Sequence, residues 1–211
     1  MNKPLIIGIT GGSGSGKTTF VKKLRERFSE DELCIVSQDE YYKPKERQKA
    51  DDQGVINFDL PDSIDKKAFR QDILTLISGA PVHRKEYTFN NPEASARELV
   101  FKPAPIILVE GIFVLHFRRI RSLIDLKVFL YAKENLKVIR RIRRDQKERN
   151  YGLEDVLYRY EHHVLPAFEQ FVKPYIGEAD IVINNNHDLE LGIAVISGYL
   201  RNCLHELEQR C

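Results

Sequence analysis

The stretch Leu5–Thr19, LIIGITGGSGSGKTT, constrains the fold of this chain more than any other. Apolar and β-branched residues (Leu5, Ile6, Ile7, Ile9) run into a glycine-rich turn that ends in Gly16-Lys17-Thr18, and a helical pattern follows. Counted from Gly11, the turn fits G-x-x-x-x-G-K-[ST], the phosphate-binding P-loop. Gly11, Gly14 and Gly16 admit backbone angles closed to other residues. The N–H groups from Gly11 through Gly12, Ser13, Gly14, Ser15, Gly16, Lys17, Thr18 and Thr19 can therefore converge on an anion. The helix that starts near Lys17 points its positive dipole end at the same place. Lys17 can reach the outer phosphates of a nucleotide, and the Thr18 hydroxyl can ligate Mg²⁺.

The chain has 211 residues, 42% hydrophobic and 30% charged, a profile that fits an α/β domain with a sizeable core. With 33 basic and 31 acidic residues the net charge is +2, too small to argue for a nucleic-acid partner. No apolar run approaches the ~20 residues of a membrane helix, so no membrane partner is expected. Met1-Asn2-Lys3-Pro4 leads straight into a strand rather than a signal peptide. Cys34, Cys203 and Cys211 are widely spaced and suggest neither a disulfide framework nor a zinc site, so a reducing cytoplasm is expected. Without a repeat or linker, residues 1–211 read as one domain.

After the P-loop, Phe20, Val21, Leu24 and Phe28 recur at helical spacing. Leu33-Cys34-Ile35-Val36 reads as a buried strand that ends in Ser37-Gln38-Asp39-Glu40-Tyr41-Tyr42. Ligands bind outside the carboxyl ends of parallel strands. Asp39 therefore sits beside the P-loop if this strand neighbours the first. There it either accepts a hydroxyl proton, holds Mg²⁺, or closes a turn. Lys43–Asp52, polar and lysine-rich, reads as a mobile surface loop. Ser63 or Asp65 can cap the amphipathic run Phe69, Ile73, Leu76, Ile77, and Phe58-Asp59 lies upstream of that cap. Residues 82–102 predict a β-hairpin, with strands near His83–Phe89 and Arg97–Phe101 and Tyr87 and Phe89 on one face. Ile106–Gly111, IILVEG, is a second buried parallel strand, and Glu110 at its end can approach the P-loop magnesium.

Residues 133–152 carry the densest charge. Eight basic residues face three acidic ones between Lys133 and Arg149. At about 100° per residue, Lys137, Arg140, Arg141 and Arg144 share one side of a helix, opposite Val138, Ile139 and Ile142. Such a face is either solvated or a lid that brings arginines to a transferring phosphoryl group. A helix from about Leu153 to Val164 follows, and adjacent His162 and His163 point in different directions, unsuited to one metal. Leu126–Tyr131 and Ile181-Val182-Ile183 read as strands, and the last helix packs Leu189, Ile193, Ile196, Leu200, Cys203 and Leu207 on the core.

Read together, IGITGGSGSGKTT, SQDEYY, NFDLPDSID, EGI, RRIRRDQKER, VLPAFEQF and ADIVIN resemble, in order, the uridine kinase family of P-loop nucleoside kinases. The resemblance covers nearly the whole chain. It implies a three-layer α/β P-loop kinase fold with a mainly parallel sheet, a projecting β-hairpin and a helical lid. It implies ATP- or GTP-dependent phosphorylation of a pyrimidine nucleoside 5′-hydroxyl, with Mg²⁺ held by Thr18 and Glu110 and Asp39 close by. Asp39 would deprotonate that hydroxyl, helped by Lys17 and by Arg140 and Arg144 closing over the phosphates. Tyr42, Phe58 and Asp59 would line the nucleoside site, and Tyr87 and Phe89 would flank the base. A homo-oligomer, dimer or tetramer, is also implied.

The chain departs from the family pattern at Thr88, Pro92, Lys137, Asn150, Tyr151 and Arg159, which lie at base- and sugar-reading positions. A related kinase for another ribosyl compound or for pantothenate therefore stays open. A nucleotide-dependent switch is a further reading, although no guanine-reading N-K-x-D string occurs. A nucleic-acid-binding protein built on the basic helix is the last, and predicts steeply salt-dependent affinity.

Overall fold

The computed structural model describes residues 3–88, 95–149 and 151–209. The chain begins with β1 (Leu5–Thr10) and α1 (Lys17–Arg25), then β2 (Leu33–Ser37) and a 3₁₀ turn at Gln38–Tyr41. A short ribbon, β3 (Lys49–Ala50) and β4 (Ile56–Asn57), precedes α2 (Lys66–Ile77). Next come β5 (Val82–Lys85), β6 (Glu98–Phe101), β7 (Ile106–Glu110), α3 (Arg118–Arg121) and β8 (Leu126–Tyr131). The C-terminal part holds α4 (Glu134–Arg149), α5 (Leu153–Arg159), α6 (Leu165–Phe171), β9 (Ile181–Asn184) and α7 (Glu190–Glu208).

Five parallel strands form the central sheet in the order β2-β7-β1-β8-β9. β1 and β7 are buried almost throughout, as their unbroken apolar runs require for strands covered on both faces. On one face Ile6, Val36, Ile107, Val109 and Phe129 pack with Phe69, Ile73 and Leu76 of α2. On the other, Ile7, Ile9, Leu108, Val128 and Leu130 pack with Phe20 and Leu24 of α1 and Ile193, Ile196 and Leu200 of α7. The result is the three-layer α/β arrangement expected from the sequence.

Several local expectations need correction. β2 does not neighbour β1, because β7 lies between them. Asp39 still reaches the loop region because β7 delivers Glu110 into the gap, with Ser37 and Ile9 both in register with that residue. The polar stretch after Lys43 is ordered into a 3₁₀ turn (Lys45–Arg47) and the β3–β4 ribbon. Of the two caps expected for α2, Asp65 is the one used, accepting from the amides of Lys67 and Ala68. The β5–β6 hairpin is shorter than predicted, so Tyr87 lies beyond its strand, and Phe89 and Pro92 fall outside the described residues. The helix from Leu153 does not stop before Pro166. A π-helical turn, Tyr160–Val164, joins α5 to α6, closed by Leu165 N–H on the Tyr160 carbonyl. Pro166 has no N–H and crowds the carbonyl four residues back, and a wider turn accommodates both defects.

Among the described residues no helix is long and apolar enough to cross a membrane.

The carboxyl ends of β2 and β7 are locked by one side chain. Gln38 is fully buried, and its Oε1 accepts from the Phe113 amide at 2.9 Å. Replacing Gln38 by Leu strands that buried N–H. Urea denaturation is expected to show a loss of about 1–3 kcal/mol. An unchanged midpoint and slope would mean that the lock contributes nothing.

Candidate active site

Gly14 and Gly16 show why the loop needs glycine. Gly14 has φ +79°, and a Cβ there would lie 2.5 Å from the Lys137 carbonyl oxygen. Gly16 has φ +98°, and its missing Cβ leaves room for the Asn185 amide, which donates to the Ser15 carbonyl at 2.8 Å. The Lys17 ammonium donates to the carbonyls of Gly11 (2.9 Å) and Gly12 (3.2 Å). The Ser15 hydroxyl is buried and has no hydrogen-bond partner among the described residues. An unpaired donor inside a ring of amides suits an anionic oxygen.

Two carboxylates stand at the mouth of this loop. Glu110 is only 8% exposed, and its Oε1 accepts from the Ser37 hydroxyl at 2.5 Å. The same hydroxyl oxygen accepts from the Asp39 amide at 3.2 Å, which caps the Gln38–Tyr41 turn and fixes Asp39 beside Glu110. Burial, and then the nearby Asp39 charge, push the Glu110 carboxyl up to about 7, against the pull of Lys17. Burial likewise lowers Lys17, while Glu110 and Asp39 oppose that shift. Both carboxylates thus lie within direct electrostatic reach of the loop lysine.

An aromatic group adjoins them. Tyr42 packs against Tyr87 (ring centroids 5.5 Å apart) and edge-on against Phe58 (6.1 Å). Glu40 holds Tyr87 in place, its carboxylate accepting from the Tyr87 amide at 2.8 Å. Burial raises the Glu40 pKa, although that bond pulls it down. Asp59 follows β4 and lies 3.7 Å from the Arg141 guanidinium.

Helix α4 is inverted relative to an ordinary surface helix. Lys137, Arg141 and Asp145 are buried, whereas apolar Ile139 is 44% exposed. The basic face is therefore not a solvated one. Arg141 donates to the Ser13 hydroxyl at 3.0 Å and pairs with Asp145 at 3.1 Å. The Arg144 Nε also donates to Asp145, at 2.9 Å, and its charge lies close enough to lower Lys17. Arg140 instead donates to the Asn185 carbonyl at 3.0 Å, at the rim of the loop. Lys137 pairs with Glu134 at 2.6 Å and sits 3.3 Å over the Phe168 ring.

Of the residues singled out from the sequence, Gly11–Thr19, Asp39, Glu110 and Arg144 share one region, and Tyr42, Phe58, Asp59 and Tyr87 form the adjoining wall. Phe89 and Asn150 lie outside the described residues. Arg141, Ser37 and Asp145 were not singled out as site residues. The i, i+4, i+8 spacing of Lys137, Arg141 and Asp145 was the available signal, since a charged stripe in place of an apolar one calls for an inward polar partner.

A glycine loop at the carboxyl end of a parallel sheet, with acidic groups at its mouth and inward arginines above, defines a P-loop phosphotransferase. The chain belongs to the Phosphoribulokinase / Uridine kinase family, which it matches over residues 6–191. It is 34% identical to the uridine kinase of Lactobacillus helveticus over 207 residues, covering 98% of each protein. It is 33% identical to that of Streptococcus agalactiae over 204 residues, covering 97% of this chain and 98% of the relative. In fold it is similar to D-glycerate 3-kinase from Cryptococcus neoformans (TM-score 0.62, 17% identity, 87% of each chain). It is also similar to phosphoribulokinase from Rhodobacter spheroides (TM-score 0.53, 18% identity, 81% of this chain and 69% of that one).

Raising a buried acid's pKa has a signed consequence. Between the ordinary carboxyl value of 4.5 and about 7, the folded protein holds more protons at Glu110 than the unfolded chain does. Stability from this group is present below 4.5 and is lost as pH rises through 7. Glu110→Gln removes the effect. Without nucleotide, the stability of Glu110→Gln minus wild type, from urea melts, should grow by more than about 1 kcal/mol from pH 5 to pH 8. A pH-independent difference would contradict the buried-acid reading.

Proposed function

We propose that this phosphotransferase moves the terminal phosphoryl group of ATP or GTP to the 5′-hydroxyl of a pyrimidine nucleoside, uridine or cytidine. The observation that carries the reading is the junction of two half-sites. In this reading the P-loop, Lys17 and Arg144 are one and the cluster Tyr42, Phe58, Asp59 and Tyr87 the other, supported by Asp39 lying within electrostatic reach of Lys17 and three residues before Tyr42. The full-length similarity to uridine kinases supports the choice of acceptor.

In this reading the loop amides and Lys17 bind the triphosphate tail, Lys17 turning from its loop carbonyls to the outer phosphates. The aromatic rings enclose the base. Asp59, opposite Arg141, engages the ribose hydroxyls. Asp39 holds the 5′-hydroxyl and takes its proton as the oxygen approaches phosphorus. Arg140 and Arg144 stabilise charge on the phosphates, and α4 acts as the lid. Most of the barrier lowering is positioning and charge neutralisation.

Thr18, Glu110 and Asp39 would hold Mg²⁺. The residues fit: they are hard oxygen donors, and a divalent cation would relieve the pressure that burial and Asp39 place on Glu110. Among the described residues no group of three or more His, Cys, Asp or Glu could hold a metal by itself. A site completed by phosphate oxygens and water is the normal habit of Mg²⁺. The ion would supply charge neutralisation on the phosphates.

A panel of nucleosides and other alcohols, assayed for acceptor-dependent ADP release, tests the substrate. Uridine or cytidine should be phosphorylated; turnover only with a non-nucleoside acceptor would overturn the proposal. Asp39→Asn should lower kcat by about 10²–10⁴-fold and leave nucleotide affinity within a few fold. Near-normal turnover in that variant would remove Asp39 as the base.

A further inference from the structure

The ribbon β3–β4 delivers Phe58 and Asp59, yet little buried surface fixes its position. Lys49 and Ala50 are exposed, and Ile56 and Asn57 are only half-buried. Polar bonds hold it instead. Asp51, in the turn of the ribbon, accepts at Oδ2 from the Tyr158 hydroxyl (2.8 Å) and from His163 Nε2 (2.7 Å). Its other oxygen accepts from the amides of Gln53 (3.0 Å) and Val55 (2.8 Å), so one carboxylate both shapes the turn and grips the helices behind it. Arg159 adds a second tie, donating to the Ile56 carbonyl at 3.0 Å while Asp155 steadies its Nε at 3.0 Å.

The partner of Asp51 is unusual. The His163 side chain is 1% exposed, and its Nδ1 is buried with no hydrogen-bond partner among the described residues. An Nε2–H donated to Asp51, with Nδ1 as an enclosed lone pair, fits both facts; a second N–H there would be a stranded donor. His163 comes from the π-helical turn between α5 and α6, which turns it inward while neighbouring His162 stays exposed. Wide turns of this kind occur disproportionately at functional positions.

Connectivity gives the clasp a direction. Asp51 sits on the segment that carries Phe58 and Asp59, and its partners sit on the helices that continue from α4, the bearer of Arg141. The pair Asp59–Arg141, at 3.7 Å, bridges the same two segments. We propose that Asp51, gripped by Tyr158 and His163, is a positioning residue that sets the width of the acceptor cleft, holding Phe58 and Asp59 at the spacing from Arg141 that the acceptor requires. The inference rests on the acceptor-site reading given above and adds a residue to it that touches no substrate.

The test combines kinetics with hydrogen exchange on the full-length protein. Asp51→Ala removes both grips on the helices and both bonds that shape the turn, and should raise the KM for the acceptor at least about fivefold, with the donor KM within about twofold. Amide exchange should accelerate in residues 49–57 and stay unchanged in β1 and the P-loop. His163→Gln, which keeps a donor near Asp51, should restore most of what His163→Leu loses. Tyr158→Phe removes a single hydroxyl and should give a smaller shift in the same direction, which keeps the test available if Asp51→Ala does not fold. Equal rises in both KM values, or ribbon exchange as slow as in the wild type, would overturn the clasp. If the wild-type protein phosphorylates no nucleoside, the acceptor reading fails first; the exchange arm and the KM for whatever acceptor is found still decide the clasp.

Discussion

Two acidic side chains and one ammonium are brought together where water is scarce, at the carboxyl end of the sheet. Left to themselves, Glu110 and Asp39 would repel. The fold holds them there by one small group: the Ser37 hydroxyl donates to Glu110 and accepts from the Asp39 amide, and Lys17 answers part of the charge. Register then does the rest. β7 lies between β2 and β1, and that order sets Ser37, Glu110 and Ile9 in one row. The carboxyl edge of the sheet thus gathers negative charge that Lys17 answers only in part.

The same reasoning explains α4. A helix that turns Lys137, Arg141 and Asp145 inward while exposing Ile139 gives up apolar burial. Local partners recover some of that loss: Glu134 and the Phe168 face for Lys137, Asp145 and Ser13 for Arg141. Asp59 adds a further carboxylate 3.7 Å from Arg141, so the inward charges are met by partners from three segments outside the helix.

Much of the site was legible because its signals are local. The P-loop declares itself in nine residues, Gly11 to Thr19, and the strand endings at Ser37 and Glu110 follow from unbroken apolar runs that stop at polar groups. The apolar runs put Asp39 near the loop if β2 and β1 are neighbours. Asp39 lies within electrostatic reach of Lys17 although β2 and β1 are not neighbours, because the intervening β7 ends beside it at Glu110. Side-chain pairings across long separations were not legible. Asp51 and His163 are 112 residues apart, and nothing in either neighbourhood announces the other. His162 and His163 point in different directions, one exposed and one buried, and the use of His163 depends on a turn that 3.6-residue periodicity does not describe.

That wide turn also has a mechanical meaning. One surplus residue between α5 and α6 offsets the angular phase of everything after it by roughly a quarter-turn. Val156 upstream and Phe168 downstream can then both be buried, though an uninterrupted α-helix would not orient them so. Phe168 beneath Lys137 and close to Gly12 is a product of that offset. The rod behind the cleft is thus aimed in two directions, and removing one residue from the turn would rotate the half that carries Phe168 by about 100° relative to the half that carries Val156.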